Sequence, residues 1–265
     1  MRTCIAMFVA ILFLSGCKQA NQGLPSGKWI DLSHSFSEKA IYWPTAKSFE
    51  LEVVSAQHTE GGYYYAANNF SAAEHGGTHL DAPIHFYEGR WTSDQIPVDR
   101  LIGAAIVIDA SEKGLADRDF QFGEQDFLDW EANHGRIPDD SIVLLKFGYA
   151  QYWPDRLKYL GTDKTGEEAV AELHFPALHP DGAKWLVANR KIKAIGLDTP
   201  SIDYGQSKTF ESHQILFKEN IPAFENVANL DQLPATGAHV FALPMKIEGG
   251  SGGPLRIVAL VPDQQ

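Results

Sequence analysis

The chain has 265 residues and a formal net charge of −12, with 22 Lys and Arg against 34 Asp and Glu. No cluster of basic residues stands out from this acidic background, which argues against nucleic acid as a partner. The only two cysteines are Cys4 and Cys17. Both lie close to the N-terminus, so the rest of the chain must be stabilised by a buried core and not by disulfides.

The N-terminus has the pattern of a secretory signal peptide. Arg2 gives a short basic start, and the apolar run Ile5–Leu14 is too short to span a bilayer as a mature helix. The run leads into Leu-Ser-Gly-Cys, which ends at Cys17 and resembles the bacterial lipobox, in which the cysteine becomes the lipidated first residue. The alternative is an ordinary signal peptide cut near Ala20, with Cys17 incidental.

We therefore predict a lipid-anchored protein of the cell envelope. In this interpretation residues 1–16 are the signal peptide, 17–28 are a polar lipidated tether, and 29–265 form a single domain. Attachment to the membrane is expected from the lipid and not from a basic patch. Lys18 follows the lipidated cysteine where inner-membrane lipoproteins commonly have an aspartate. This favours the outer membrane or its periplasmic face.

Seven segments rich in β-branched and aromatic residues predict strands, and between them lie three helical patterns. The predicted strands are Phe49–Gln57, Gly62–Ser71, Leu101–Ala110, Ser141–Gly148, Ala194–Asp198, His239–Ile247 and Leu255–Val261. The predicted helices are Glu124–Asn133, Asp181–Arg190 and Phe210–Glu219. Because strands and helices interleave, the sequence predicts one α/β domain with a mixed sheet. The stretch Tyr152–Gly166 is predicted to be a long surface insertion.

The segment Glu74–Phe86 (EHGGTHLDAPIHF) holds the residues best suited to chemistry. Three histidines and one aspartate fall within the eleven residues from His75 to His85. Imidazole and carboxylate are the usual ligands of zinc, manganese and iron(II), so the cluster predicts a metal site. The alternative is a chance cluster of polar loop residues, which is hard to reconcile with this density of histidines.

The local backbone around these histidines is predicted to be a tight turn. His75 and His79 are four residues apart, as on a metal-binding helix, but the intervening Gly76-Gly77-Thr78 forms helix poorly. Glycines would instead let the backbone approach a cation closely. His79 and Asp81 are two residues apart, which places them on one side of an extended segment.

This segment resembles the signature of the cyclase family, which includes bacterial kynurenine formamidases and isatin hydrolases. The likeness continues through Ile30–Ser33, Trp43-Pro44, Gly196–Asp203 and Gly249–Arg256. The resemblance implies a swivelling β/β/α domain that is usually dimeric. The glycine-rich segment that begins at Gly249 lacks the lysine and helix of a phosphate-binding loop. It is predicted to be a loop near the site that could offer backbone N–H groups.

The resemblance also implies a set of metal ligands. His75, His79 and Asp81 match the ligands of a first ion, and the aspartate can bridge two ions. His213 and Glu225, twelve residues apart, match the ligands of a second ion. Taken alone, His213 would be assigned to a helix surface and Glu225 to a solvated carboxylate.

Two further roles follow from the resemblance. His85 matches a histidine that shuttles protons, a role that suits an imidazole with an ordinary pKa near 6.5. Trp43 matches an aromatic residue that contacts the substrate. Its alternative is a tryptophan of the core or of an interface.

The two branches of the family differ at the position of Glu225. The isatin-hydrolysing branch tends to carry Gln there and one manganese, whereas the formamidase branch carries Glu and two zinc ions. Length and insertions resemble the isatin branch, but Glu225 resembles the formamidase branch. We therefore expect one or two zinc or manganese ions at this site.

The expected reaction is metal-dependent hydrolysis of a C–N amide bond in a small aromatic substrate. That substrate is either an aryl formamide of the N-formylkynurenine type, from tryptophan catabolism, or an isatin-type cyclic amide. The alternative from another class is a metal- or ligand-binding surface lipoprotein without catalysis. The presence of His85 favours the enzyme.

Overall fold

A mixed β-sheet forms the centre of the structure, a computed structural model that describes residues 25–263. The strands of the described residues are β1 (Gly27–Asp31), β2 (Glu50–His58), β3 (Tyr64–Ser71), β4 (His79–Asp81), β5 (Ile102–Asp109), β6 (Gln121–Phe122), β7 (Ile142–Lys146), β8 (Ala177–Leu178), β9 (Ala194–Leu197), β10 (Ala223–Glu225), β11 (His239–Pro244) and β12 (Gly252–Pro262). The α-helices are α1 (Ser111–Ala116), α2 (Glu124–His134), α3 (Arg156–Leu160), α4 (Glu167–Val170), α5 (Pro180–Asn189) and α6 (Glu211–Lys218).

The large sheet has the strand order β1-β12-β11-β5-β7-β9-β10-β4. Since β4 also pairs with β12, the strands from β12 to β4 close into a barrel-like ring. Strands β5, β7, β9 and β10 are parallel to one another, and the remaining pairings of this sheet are antiparallel. The predicted α/β class with a mixed sheet is confirmed. The swivelling arrangement remains an expectation from the resemblance.

Apolar residues alternate between the two faces of the parallel strands. Ile106 and Val143 belong to a cluster that includes residues of α2, α5 and α6, whereas Val107 and Leu144 belong to a second cluster formed largely by strands around the ring. Burial on both faces explains why these strands are nearly continuous apolar runs in the sequence. The sheet is thereby a rigid support for the short strands that carry the polar residues.

The seven predicted strands and three predicted helices all have counterparts in the structure, with ends shifted by a few residues. Strand β1 begins at Gly27 and pairs with β12, so the last two residues of the predicted tether belong to the sheet. The predicted signal peptide and Cys17 lie outside the described residues. Within the described range, no helix combines the length and apolar character needed to cross a membrane.

The prediction of a surface insertion at Tyr152–Gly166 holds only in part, because the segment is exposed in places but also contributes to the core. Helix α3 lies in this segment, and its Tyr159 and Leu160 are fully buried. The hydroxyl of Tyr159 is 3.1 Å from the carbonyl oxygen of Asp198 and 2.8 Å from Oδ1 of Asn226. Tyr159 and Leu160 belong to the buried core, whereas Leu157 and residues 163–166 are exposed.

Strands β2 and β3 pair only with each other among the described residues and form a separate two-stranded arm. The arm exposes a band of large apolar side chains, with more than half of each accessible: Leu51, Val53, Val54, Tyr63, Tyr64, Tyr65 and Phe70. A lone two-stranded hairpin is only marginally stable in water. Within the described residues, the arm thus leaves several large apolar side chains accessible.

A partly buried histidine, His34, predicts a pH-dependent stability. The ring of His34 stacks on Trp153 with 4.1 Å between centroids, and its Nε2 is buried without a hydrogen-bond partner. Burial lowers the pKa of His34 to about 4. The unfolded chain, in which the pKa is about 6.5, therefore binds this proton more readily than the folded chain does. The stabilisation is complete above pH 6.5 and is lost as the pH falls towards 4.

We expect His34 alone to lower the free energy of unfolding by up to about 3 kcal/mol when the pH falls from 7 to 4. This uses roughly 1.4 kcal/mol per unit of pKa difference between the folded and unfolded chain. Denaturant unfolding of the wild type and of His34→Phe, which keeps an aromatic ring against Trp153, measures the effect. The wild type should lose more stability than the variant on acidification. Parallel pH profiles would contradict the assignment.

Candidate metal centre

Two short antiparallel strands place the first polar residues. In the pairing of β4 with β10, Glu225 lies opposite His79 and Ala223 lies opposite Asp81. His79 and Asp81 are two residues apart on β4, so both side chains point to the same face, where Glu225 joins them. These three residues are at most 4% exposed.

Helix α6 brings His213 to the same point. Its Nε2 is 3.2 Å from Oδ2 of Asp81 and 3.3 Å from Oε1 of Glu225. On the other side, Nε2 of His79 is 3.1 Å from Oδ1 of Asp81 and 3.4 Å from Oε2 of Glu225. Ligands of one ion with bonds of 2.0–2.2 Å are separated by about 3.0–3.5 Å. The spacing of these two imidazoles and two carboxylates therefore fits a divalent cation.

His75 approaches the cluster from the turn that precedes β4. Its Nδ1 is 2.6 Å from Oδ1 of Asp81. As predicted, residues 75–78 form a turn and not a helix. Glycine is required at two positions here, because a Cβ on Gly76 would lie 2.0 Å from the ring of Tyr42 and Gly77 has a φ of +58°.

The second nitrogens of two histidines are fixed by hydrogen bonds. Nδ1 of His79 is 3.0 Å from the carbonyl oxygen of Gly77, to which it donates. Nδ1 of His213 is 2.5 Å from Oδ2 of Asp203, a carboxylate that also accepts backbone N–H groups of α6. A proton on each Nδ1 leaves the lone pair of Nε2 directed at Asp81 and Glu225, as metal ligands require.

The electrostatics of the cluster favour a bound cation. Within residues 25–263, the ion-pair partners of Asp81 and Glu225 are histidines only. Burial and the nearby Asp81 raise the pKa of Glu225. Burial opposes protonation of His79, but the two carboxylates outweigh it and raise the pKa of His79 to about 8. Buried carboxylates are costly unless they are paired, and a divalent cation would pair both at once.

A cavity of about 290 Å³ opens over this cluster. Its floor is polar, and its walls are mainly aromatic and apolar: Ile41, Tyr42, Trp43, Ala46, Ala73, Phe86, Pro200 and Phe210. Trp43 lines the cavity and also packs edge-on against the buried Phe175, at 6.4 Å between centroids. The contacts of Trp43 therefore support both a role in contacting the substrate and a role in core packing.

His85 follows β4 in a short 3-10 turn, Pro83–His85, and borders the cavity. Its ring stacks on His75 with 3.8 Å between centroids. Burial, opposed by Asp81, lowers the pKa of His85 to about 3, well below the value expected from the sequence. The imidazole is therefore neutral at pH 7. A ring nitrogen of His85 also lies within 4.8 Å of ligand atoms of His75 and Asp81, so a role as a further ligand is possible geometrically.

All the predicted site residues within the described range meet at this cavity: Trp43, His75, His79, Asp81, His85, His213 and Glu225. Asp203 and Ser251, which contact His213 and His75, lie in segments that carried the family resemblance, and the segment around Ser251 was predicted to be a loop near the site. Neither side chain was given a role of its own, nor were the wall residues Phe86 and Phe210. Asp203 had a further signal, because it lies shortly after a buried parallel strand, where polar residues gather at a sheet edge.

Comparison with known proteins shows the family of the chain. Residues 30–204 match the family model described as "Putative cyclase". The chain is 35% identical to isatin hydrolase from Roseibium aggregatum, over 80% of this chain and 81% of that protein. It is 28% identical to kynurenine formamidase from Bacillus cereus, over 89% of this chain and 98% of that protein.

A solved structure is also similar to this chain. Isatin hydrolase A from Labrenzia aggregata, bound to benzyl benzoate, superposes with a TM-score of 0.80 and 32% identity, covering 89% of this chain and 94% of that chain. The site and these likenesses define a metal-dependent hydrolase. The chain belongs to the cyclase family.

Proposed function

We propose that the chain hydrolyses a C–N amide bond in a small aromatic substrate, and that an isatin-type cyclic amide is the leading candidate. The observation that carries the proposal is the cavity itself, in which Trp43, Phe86 and Phe210 stand over the carboxylate–imidazole cluster. Aromatic walls suit a flat ring, and a polar floor suits a reacting carbonyl. The 35% identity to an isatin hydrolase supports the cyclic amide.

Different residues of the site would have different roles in amide hydrolysis. A divalent cation held by His75, His79, Asp81, His213 and Glu225 would lower the pKa of a water molecule towards about 7 and polarise a carbonyl oxygen. His85, whose ring stacks on His75 beside the cluster and borders the cavity, would take the proton of the attacking water and return it to the leaving nitrogen. Apolar walls limit the access of other water molecules to the reacting bond.

An arylformamidase is the second candidate, and Glu225 is the observation that favours it. Its two carboxylate oxygens face different histidines, Oε2 towards His79 and Oε1 towards His213. A carboxylate that can be shared in this way suits two ions, which is what the resemblance implies for the formamidase branch. Both candidates release an aryl nitrogen, which is a better leaving group than an aliphatic amine.

Side-by-side assays of isatin and N-formylkynurenine test the proposal. Metal-free protein is loaded separately with zinc and with manganese, and kcat/KM is measured for each substrate. The proposal expects isatin to be preferred by at least about 100-fold, a difference of roughly 3 kcal/mol. The reverse preference would establish the arylformamidase. If neither substrate is turned over with either metal, the proposal fails and the non-catalytic binding protein is favoured.

We further propose that the chain is a lipoprotein anchored through Cys17, with the outer membrane or its periplasmic face as its location. Cys17→Ser should abolish incorporation of labelled palmitate in cells that express the full chain. Cys4→Ser is the matched control, because cleavage before Cys17 would remove Cys4, and it should label normally. Equal labelling of Cys17→Ser and the wild type would contradict the anchor.

The arm formed by β2 and β3 supports a homodimer, in which a second copy covers the exposed band that includes Val53 and Tyr65. Sedimentation velocity at micromolar concentration should give the mass of a dimer. Val53→Glu places a charge in the band and should shift the equilibrium towards the monomer. A monomeric wild type would rule the dimer out.

A further inference from the structure

The side chains of Glu74, Ser251 and His75 are joined by hydrogen bonds, and they link the glycine-rich segment before β12 to the metal centre. Oγ of Ser251 is 2.9 Å from Nε2 of His75 and 2.6 Å from Oε2 of Glu74. The backbone N–H of Ser251 donates to the same carboxylate oxygen at 3.0 Å. Glu74 and Ser251 lie outside the set of ligands and do not border the cavity.

The backbone around Ser251 allows its hydroxyl to lie close to both His75 and Glu74. The N–H of Ala82 donates to the carbonyl oxygen of Ser251 at 2.9 Å. A Cβ on Gly252 would lie 2.6 Å from Cε1 of His75, and one on Gly250 would lie 2.9 Å from Oε1 of Glu74. Glycine on both sides of Ser251 is therefore needed for its hydroxyl to reach between the two side chains.

The direction of the hydrogen bonds follows from the chemistry of the groups. An ionised carboxylate only accepts, and a serine hydroxyl has a single proton. Since the hydroxyl of Ser251 donates to Glu74, its oxygen accepts from Nε2–H of His75. The lone pair of His75 is then on Nδ1, which is directed at Asp81. His79 and His213 have the opposite arrangement, with Nε2 directed at the cluster.

We propose that Glu74 and Ser251 are positioning residues that set the tautomer of His75 and thereby the affinity of the centre for its metal ion. This inference rests on the metal requirement in the proposed function. The carboxylate of Glu74, acting through Ser251, also makes the imidazole of His75 a stronger ligand. Partners of this kind are typically worth about 10- to 100-fold in metal affinity.

Metal affinity, measured by competition with a chromogenic chelator on metal-free folded protein, tests this proposal with zinc and with manganese. Ser251→Ala should weaken binding by about 10- to 100-fold. Glu74→Gln, whose amide oxygen can still accept from the hydroxyl, should weaken it less than Glu74→Ala. Because Glu74 acts through Ser251, the double Ala variant should bind no more weakly than Ser251→Ala alone.

The matched control is Ser33→Ala. The hydroxyl of Ser33 hydrogen-bonds the backbone of β12 at Ile257, away from the centre, and its loss should leave metal affinity unchanged. The proposal is overturned if Ser251→Ala binds within twofold of the wild type, or if the single losses add in the double variant. If Ser251→Ala does not fold, Glu74→Ala decides by the same twofold criterion. A wild type that binds neither metal would overturn the proposed function instead.

Discussion

Asp81→Ala is expected to remove the bound metal and to lower kcat/KM by more than about 10³-fold, which corresponds to roughly 4 kcal/mol of transition-state stabilisation. Asp81 has the largest effect because it is the residue that the three histidines share. Its oxygens lie within 2.6–3.2 Å of ring nitrogens of His75, His79 and His213. Without it, three neighbouring imidazoles lose the carboxylate that holds them around one point.

Metal content by plasma emission spectrometry and steady-state kinetics on the same preparation measure this effect. Asp163→Ala is the matched control, because Asp163 is exposed. It should retain both metal and activity. An Asp81→Ala protein that is folded, keeps its metal and turns over substrate normally would show that the cluster is not the reacting centre.

His85→Ala is expected to lower kcat by about 10²–10⁴-fold, the usual contribution of a general acid–base residue. The loss should fall on kcat more than on KM, because proton transfer stabilises the transition state and not the bound substrate. Metal content should stay near that of the wild type. Added imidazole should restore part of the rate by entering the space next to His75.

The competing assignment for His85 is a further metal ligand. The proximity of His85 to ligand atoms of His75 and Asp81 makes this a real alternative. In that case His85→Ala would lose metal and activity together, and excess metal would restore both. A metal-depleted His85→Ala protein that regains its rate on metal addition would end the proton-shuttle assignment.

The residue pattern within a segment was sufficient to predict the long strands of the fold, but it was not sufficient to predict the short ones. Strands β5 and β7 could be predicted because several consecutive residues are buried on both faces. Strands β4 and β10 have three residues each, too few to show a period. Each is stabilised by partners that are distant in the sequence, as in the pairing of His79 with Glu225. The helix α3 was missed because its polar and buried residues share a segment of ordinary loop composition.

The residues of the site differ in the same way, because some could be predicted from one segment of the sequence and others only from the fold. His75, His79, Asp81 and His85 fall in one segment, so their density predicts a metal site without a structure. Asp203 and Ser251 lie outside that segment, and the contacts of their side chains depend on where α6 and the start of β12 meet the cluster. The pKa of His85 could not be predicted either, since burial against other rings lowers it to about 3.

The metal requirement of the site is tested by titrating metal-free protein with zinc or manganese and measuring isatin turnover at each addition. We expect negligible turnover without metal, and a rate that rises in proportion to the ions bound until the cluster of His75, His79, Asp81, His213 and Glu225 is filled. The same titration of Asp81→Ala should give no rise. Full turnover by protein shown to contain no metal would mean that the cluster does not act as a metal centre in the reaction.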